Sequence, residues 1–390
     1  MSWLRRKIQR AKSGKGNWFG DGSDGDIRIT SAGAEQSFDG GVTWSTISTW
    51  TLVDSVVSIP SEQDGDMVVI NAVNLTVDEG YLLTVANRCR GLLIYCTGNA
   101  TINGTLSMTA RGCHANPADA TVTSDTPVAP SDGNAVPSEG LIIRRLAAGH
   151  TDTHTDATLG YGCGQTVVDS EANQPEVTGN GVVIAIPRVG GDGGARIETH
   201  DQNGVESNDG GSVENGTGGG GSGSWYGSGY STAGSSGSGA AGTCFSGGSG
   251  GGSACENGAA DDAEAYGGAG GVGNQTNKRS YPCAGGTGNP AGHGNPVGKD
   301  GTGGLLVLIV RGVISGTGTI EGKGVASNTG SSGGGGASGG GVVVVLLGKD
   351  DKFTGAISAA GGAAVKVGNY SGYSGAGCNG SVIGPYKINR

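Results

Sequence analysis

The chain has 390 residues, of which 84 are glycine, about three times the roughly 7% of an average protein. Apolar residues at 35% and aromatics at 5% argue against a single large aliphatic-aromatic core of ordinary helices and sheets, and the lack of a strict three-residue glycine period with only 11 prolines argues against collagen. The net charge of −10 argues against nucleic-acid binding, and no stretch approaches the roughly 18–20 apolar residues of a membrane-spanning helix.

Trp3, Leu4 and Ile8 stand at helical spacing among Arg5, Arg6, Lys7 and Arg10, which predicts a short basic amphipathic helix within residues 1–19. Lys12 and Lys15 bring the first 15 residues to six bases and no acid, while the remainder holds 34 acids against 18 bases. Such a helix lies on a membrane or docks into an acidic groove on a partner protein. Its shortness favours the partner, so residues 1–19 read as an attachment segment without membrane insertion. The N-terminus also lacks the apolar block of a secretory signal. The run Gly20-Asp21-Gly22-Ser23-Asp24-Gly25-Asp26 lacks the full spacing of a calcium-binding loop and reads as a solvated turn.

Residues 20–112 predict a β-domain of short Val, Ile, Thr and Leu-rich strands, among them 67–70 and 82–85. A repeat emerges when the apolar runs that follow Gly91, Gly304 and Gly341 are aligned. Each leads to a second motif of apolar, polar, glycine and small residues, at 102–107, at 314–321 with a two-residue delay, and at 353–358. Six apolar residues without alternation imply strands covered on both faces, and the central glycine implies a tight corner. The fold class expected is all-β, a β-solenoid-like or layered β-structure. Weaker copies of the strand start at Gly140 and Gly181.

Residues 113–203 read as a loop-rich β region containing His150-Thr151-Asp152-Thr153-His154-Thr155-Asp156. An extended chain sets His150, Asp152 and His154 on one face, where they hold a metal at an oligomer axis or form a solvated loop; the loop is the preferred reading, and no cofactor is expected. Residues 204–300 are a glycine-rich loop region, and 301–390 carry the C-terminal rungs. The stretch 211–273 has 24 glycines interleaved with Trp225, Tyr226, Tyr230, Phe245 and Tyr266. Glycine runs such as 218–221 and 339–341 either pack as polyglycine II-like helices bonded through their main chains or serve as linkers. The aromatic rings are the candidate receptor contacts, since rings in loops stack on sugars or anchor protein contacts. The eight cysteines include no CxxC pair and read mostly as buried thiols, with a Cys244–Cys255 disulfide left open.

The Gly-Asp-Gly-Ser-Asp-Gly start, the Ile-Asn-Gly-Thr-Leu unit at 102–106 and the glycine runs with aromatic loops resemble glycine-rich tail-tip and receptor-binding proteins of tailed bacteriophages. The resemblance covers 20–112 and 205–365 in style. It implies a virion protein made in the host cytoplasm and present in several copies. Its N-terminus would bind other tail proteins, and its loops a host glycan or outer-membrane protein. The alternatives are an architectural tail or capsid-decoration protein and a polysaccharide-degrading tailspike. Against catalysis, no nucleophile elbow, HExxH or phosphate loop occurs, and acids such as Asp261, Asp262 and Glu264 are available without a defining pattern.

Overall fold

The computed structural model describes residues 19–62, 68–87, 89, 91–111, 303–326, 337–364 and 376–387, together with the backbone of short strands between 141 and 334. The first stretch holds β1 (Asp26–Thr30), β2 (Gly33–Ser37), β3 (Ser45–Thr46), β4 (Thr51–Val53), β5 (Val56–Ile59), β6 (Val68–Ala72), β7 (Leu75–Val77), β8 (Leu82–Val85), β9 (Leu92–Cys96), β10 (Ala100–Ile102) and β11 (Thr105–Ser107). Short strands β12 (Leu141–Arg144), β13 (Ala157–Thr158), β14 (Thr166–Val167), β15 (Gly181–Ile184), β16 (Ser224–Tyr226) and β17 (Ala254–Glu256) come next. The last stretch holds β18 (Leu305–Val310), β19 (Ile314–Gly316), β20 (Thr319–Glu321), β21 (Gly333–Gly334), β22 (Val342–Leu347), β23 (Asp351–Phe353), β24 (Ala356–Ser358) and β25 (Ser381–Lys387). The described residues form strands and turns without a helix, so this part of the chain is all-β.

Four units of three strands repeat: β6-β7-β8, β9-β10-β11, β18-β19-β20 and β22-β23-β24. Each unit gives its first strand to a sheet ordered β25-β22-β18-β9-β6. Its second strand goes to β23-β19-β10-β7-β1-β2-β3 and its third to β24-β20-β11-β8-β5-β4. Neighbouring units pair in parallel, so like positions stack: Leu92 lies beside Leu306, and Leu306 beside Val343. The stretches 20–112 and 301–390, apart in sequence, therefore share three sheets.

The first sheet is covered on both sides. All six residues of β18 and all six of β22 are buried, as their uninterrupted apolar runs require. The second sheet alternates: Leu75 and Val77 are buried around half-exposed Thr76, and Ala100 and Ile102 around half-exposed Thr101. Leu83, Leu106 and Ile320 stack in register into one core shared by all three sheets.

Side-chain amides support the corner between the first and second sheets. Asn74 Nδ2 donates to Asp26 Oδ1 at 2.6 Å. Asn74 Oδ1 then accepts from the Asn99 amide at 2.7 Å, and Asn99 Oδ1 from the Val313 amide at 2.8 Å. Each asparagine thus satisfies a backbone group one unit further on. The turn at 20–26, expected to be solvated, is docked instead: Asp24 Oδ2 accepts the Asn71 amide at 2.7 Å, and Asp26 is buried.

Two further differences from the sequence alignment have simple causes. Leu92 pairs with Leu306 rather than Leu305, a one-residue offset that a run apolar at every position conceals. Ile314 faces Ala100, so Gly316 occupies the place of Ile102 and the apparent two-residue delay disappears. Gly316 takes φ 112°, and a Cβ there would strike the Ile102 carbonyl, which is why glycine replaces isoleucine. The strands expected at 140 and 181 do form, but β12 and β15 pair antiparallel with each other and join none of the three sheets.

Candidate functional site

Connection lengths single out one corner. Between the first and second strands of a unit the chain uses two or three residues, and between the second and third it uses two to four. Between the third strand and the next first strand it uses eight residues after β5 and six after β8. The same corner then takes 197 residues after β11, 20 after β20 and 22 after β24. Long connections along one edge of a fixed body are where recognition residues are commonly displayed.

The 197-residue excursion is firmly held at its base. Met108 donates its amide to the Glu321 carbonyl at 2.8 Å, and the Gly304 amide returns to the Met108 carbonyl at 3.0 Å. Arg111 Nε reaches back to the Val85 carbonyl at 2.9 Å. Glu321, little exposed, accepts Ser107 Oγ at 3.2 Å and Thr109 Oγ1 at 3.0 Å, and pairs with Lys323 Nζ at 2.6 Å. The chain therefore leaves and re-enters within one hydrogen bond of itself.

Beside this base lie extended glycine-rich segments at 322–326, 337–341, 359–362 and 376–380. Residues 338–341 bond to four separate segments: Ser338 N to Val325 O at 3.1 Å, Gly362 N to Ser338 O at 2.8 Å, Gly303 N to Gly339 O at 3.0 Å, Gly340 N to Cys378 O at 2.9 Å and Gly341 N to Gly322 O at 2.8 Å. The approaches leave no room for side chains. A Cβ on Gly340 would overlap the Ala359 carbonyl, and one on Gly380 the Gly341 carbonyl.

Of the candidate receptor contacts, Trp225 and Tyr226 belong to β16, which pairs in parallel with β17 and sets Trp225 opposite Cys255. β17 in turn pairs with β21, which belongs to the connection after β20. Two excursions from the same corner are thereby joined through their backbones. Tyr230, Phe245 and Tyr266 lie outside the described residues, as do the attachment residues Trp3, Leu4, Arg5, Arg6, Lys7, Ile8 and Arg10 and the cluster His150, Asp152 and His154. Cys89 and Cys96 are buried free thiols; burial pushes Cys96 up to about 12, far from reactive thiolate chemistry.

A second exposed feature closes the end of the body at β1. The β1–β2 hairpin, β3 and β4 form a cap from which Phe38 (70% exposed), Val42 (79%), Leu52 (38%) and Val53 (59%) project. Asp39 shapes the loop between β2 and β3. Its carboxylate accepts the Thr43 hydroxyl at 2.5 Å, the Thr43 amide at 2.9 Å, the Ser37 hydroxyl at 2.7 Å and the Val42 amide at 3.0 Å. These bonds, the Thr43 hydroxyl first, hold the Asp39 carboxyl far below the usual carboxylate range. Arg28 pairs with Glu35 at 2.8 Å and lies 4.0 Å from the centre of the Trp44 ring. Sequence reasoning passed over this cap, although Phe38-Asp39-Gly40-Gly41 and Val53-Asp54-Ser55 are turn signals flanked by apolar residues.

No protein-family model, curated protein or solved structure matches the chain.

Proposed function

We propose that the chain is a non-enzymatic virion protein of a tailed bacteriophage that binds a host-surface receptor, with a β-solenoid body carrying recognition loops at one corner. The observation that carries this reading is the confinement of the 20-, 22- and 197-residue connections to that corner while the other corners stay at two to four residues. A body built this way keeps its sheets in register whatever the loops contain. The aromatic residues Trp225, Tyr226, Tyr230, Phe245 and Tyr266 all fall in the longest of these connections.

The solenoid reading rests on four three-strand units stacked in parallel with like residues in register. Polyglycine II-like packing of the segments beside the corner is supported by the four-way bonding of residues 338–341, since a strand in a pleated sheet has two neighbours only. Rigid support of this kind lowers the entropy lost when a loop engages its receptor, and several copies on one particle add avidity.

Adsorption competition tests the reading. Purified protein added to host cells before infection is expected to block phage adsorption. A full-length variant with Trp225, Tyr226, Tyr230, Phe245 and Tyr266 changed to serine is expected to lose that block while keeping its melting temperature. Normal adsorption in the presence of excess wild-type protein, with tight binding to particles that lack it, would assign an architectural role instead. Release of reducing sugar from host polysaccharide would assign the tailspike activity.

A further inference from the structure

We propose that the cap at the β1 end is the seat for the basic N-terminal segment of a second copy, so that copies join head to tail. The inference rests on the reading of residues 1–15 as a docking segment and supplies its partner. Four of the five large apolar side chains exposed among the described residues, Phe38, Val42, Leu52 and Val53, belong to this cap; the fifth is Val382. A hairpin cap that only shields the end of a core has no need to hold such side chains outward, whereas one that receives a partner does.

Charge identifies the occupant. The described residues from 19 to 87 carry nine carboxylates against one cation, Arg28, which is already paired with Glu35. Asp21, Asp39, Asp54, Glu62 and Glu79 are exposed. The described residues from 303 onward reverse the balance, with five cations and three carboxylates. Residues 1–15 add six bases and no acid, with Trp3, Leu4 and Ile8 among them. Within the cap Asp39 follows Phe38 and Asp54 follows Val53, both acids exposed, so exposed apolar and acidic side chains alternate there and a basic segment with apolar side chains complements them in both respects.

The place of attachment makes the contact one between copies. The Phe19 side chain reaches Gly348 in the fourth unit, while Gly22 lies against Val73 and Thr97, and Gly25 against Ser37. From residue 19 to 25 the chain therefore runs along the body toward the cap, so the point where the described body takes up the chain, Phe19, lies farther from the cap than Gly25 does. Because seat and segment are different surfaces of the chain, the contact joins copies head to tail as a heterologous interface, which repeats along an axis. In a column of this kind one copy keeps its segment free for the particle.

Sedimentation of the full-length chain tests the proposal. Association that grows with protein concentration and weakens at least tenfold between ~50 mM and ~500 mM salt is expected, because the Debye length falls below ~5 Å over that range. A cap variant (Phe38→Asp with Val53→Asp) and a segment variant (Arg5→Glu, Arg6→Glu, Lys7→Glu and Arg10→Glu) are each expected to be monomeric alone. Mixed, they should form a 1:1 complex that does not extend, since each keeps one half of the interface. All substitutions lie on exposed cap residues or in the basic segment, and unchanged melting temperatures identify folded variants. A wild-type chain that stays monomeric at low salt would overturn the proposal, as would variants that fail to pair when mixed. Folding of the segment back onto its own cap would show as salt-sensitive compaction without association, and that result also overturns it. Adsorption blocking by the chain is read separately, so loss of one reading leaves the other standing.

Discussion

Replacing Gly340 with alanine separates a packed glycine bed from a linker because the two predict opposite signs. In a flexible segment, or at a site with room, the change restricts the unfolded chain and raises stability by about 0.4–1 kcal/mol. In the structure the new Cβ would overlap the Ala359 carbonyl and lie 2.9 Å from that of Ala360, both backbone atoms that cannot swing aside. Segments 337–341 and 359–362 must move apart, which weakens the bonds Gly362 N to Ser338 O at 2.8 Å, Gly340 N to Cys378 O at 2.9 Å and Gly380 N to Ala359 O at 2.8 Å. At about 1 kcal/mol per bond, with about 1 kcal/mol or more of overpacking, the expected net loss is about 3–4 kcal/mol. At about 2–4 °C per kcal/mol, the midpoint measured by scanning calorimetry should fall by about 6–16 °C. Gly80→Ala is the control: nothing lies within 4 Å of its Cβ, but φ is 82°, so a smaller loss of about 1–2 kcal/mol is expected. A Gly340→Ala midpoint at or above the wild-type value would refute the packed bed.

Asn99→Ala removes the acceptor of the Val313 amide and should cost about 1–2 kcal/mol in urea unfolding, whereas Asn99→Asp, which keeps an acceptor in the same place, should recover most of it; equal losses in the two would refute the corner ladder. Because Asp39 has a lowered folded pKa, its contribution is present above the unfolded value of about 3.9 and is lost only as pH falls through the lower folded one. Thr43→Val should raise the Asp39 carboxyl titration, followed by carbon NMR, toward the ordinary value, and an unchanged titration would remove Thr43 as the principal cause.

Side-chain periodicity made much of the body legible. Buried strands such as β18 and β22 announce themselves by six apolar residues in a row, and a unit repeats because each copy must present the same faces to its neighbours. Register was not legible to the residue. Leu305 and Leu306 are equally apolar, and only the corner lengths around Ala100 and Ile314 decide which lies opposite Leu92. The cap was missed for a related reason. Phe38 and Val53 are apolar residues that a core would accept, and their exposure depends on Asp39 closing its loop and on the Asp54-Ser55 turn, where both residues take positive φ. The repeat marks β9 and β18 as like strands, but that they are direct neighbours is not written in either segment, since partners 214 residues apart are fixed by the whole body.

That pairing sets a timetable for synthesis. When β11 has left the ribosome, the outer edges of β9, β10 and β11 have no partners, and about 200 residues must be added before β18, β19 and β20 can take them. At roughly 5–20 residues per second this leaves three parallel edges open for about 10–40 s. Unpaired edges recruit strands from other chains, and neighbouring ribosomes on one message supply identical ones at high local concentration. The arrangement that frees the corner for a long excursion therefore exposes the half-synthesised body to mispairing along those three edges.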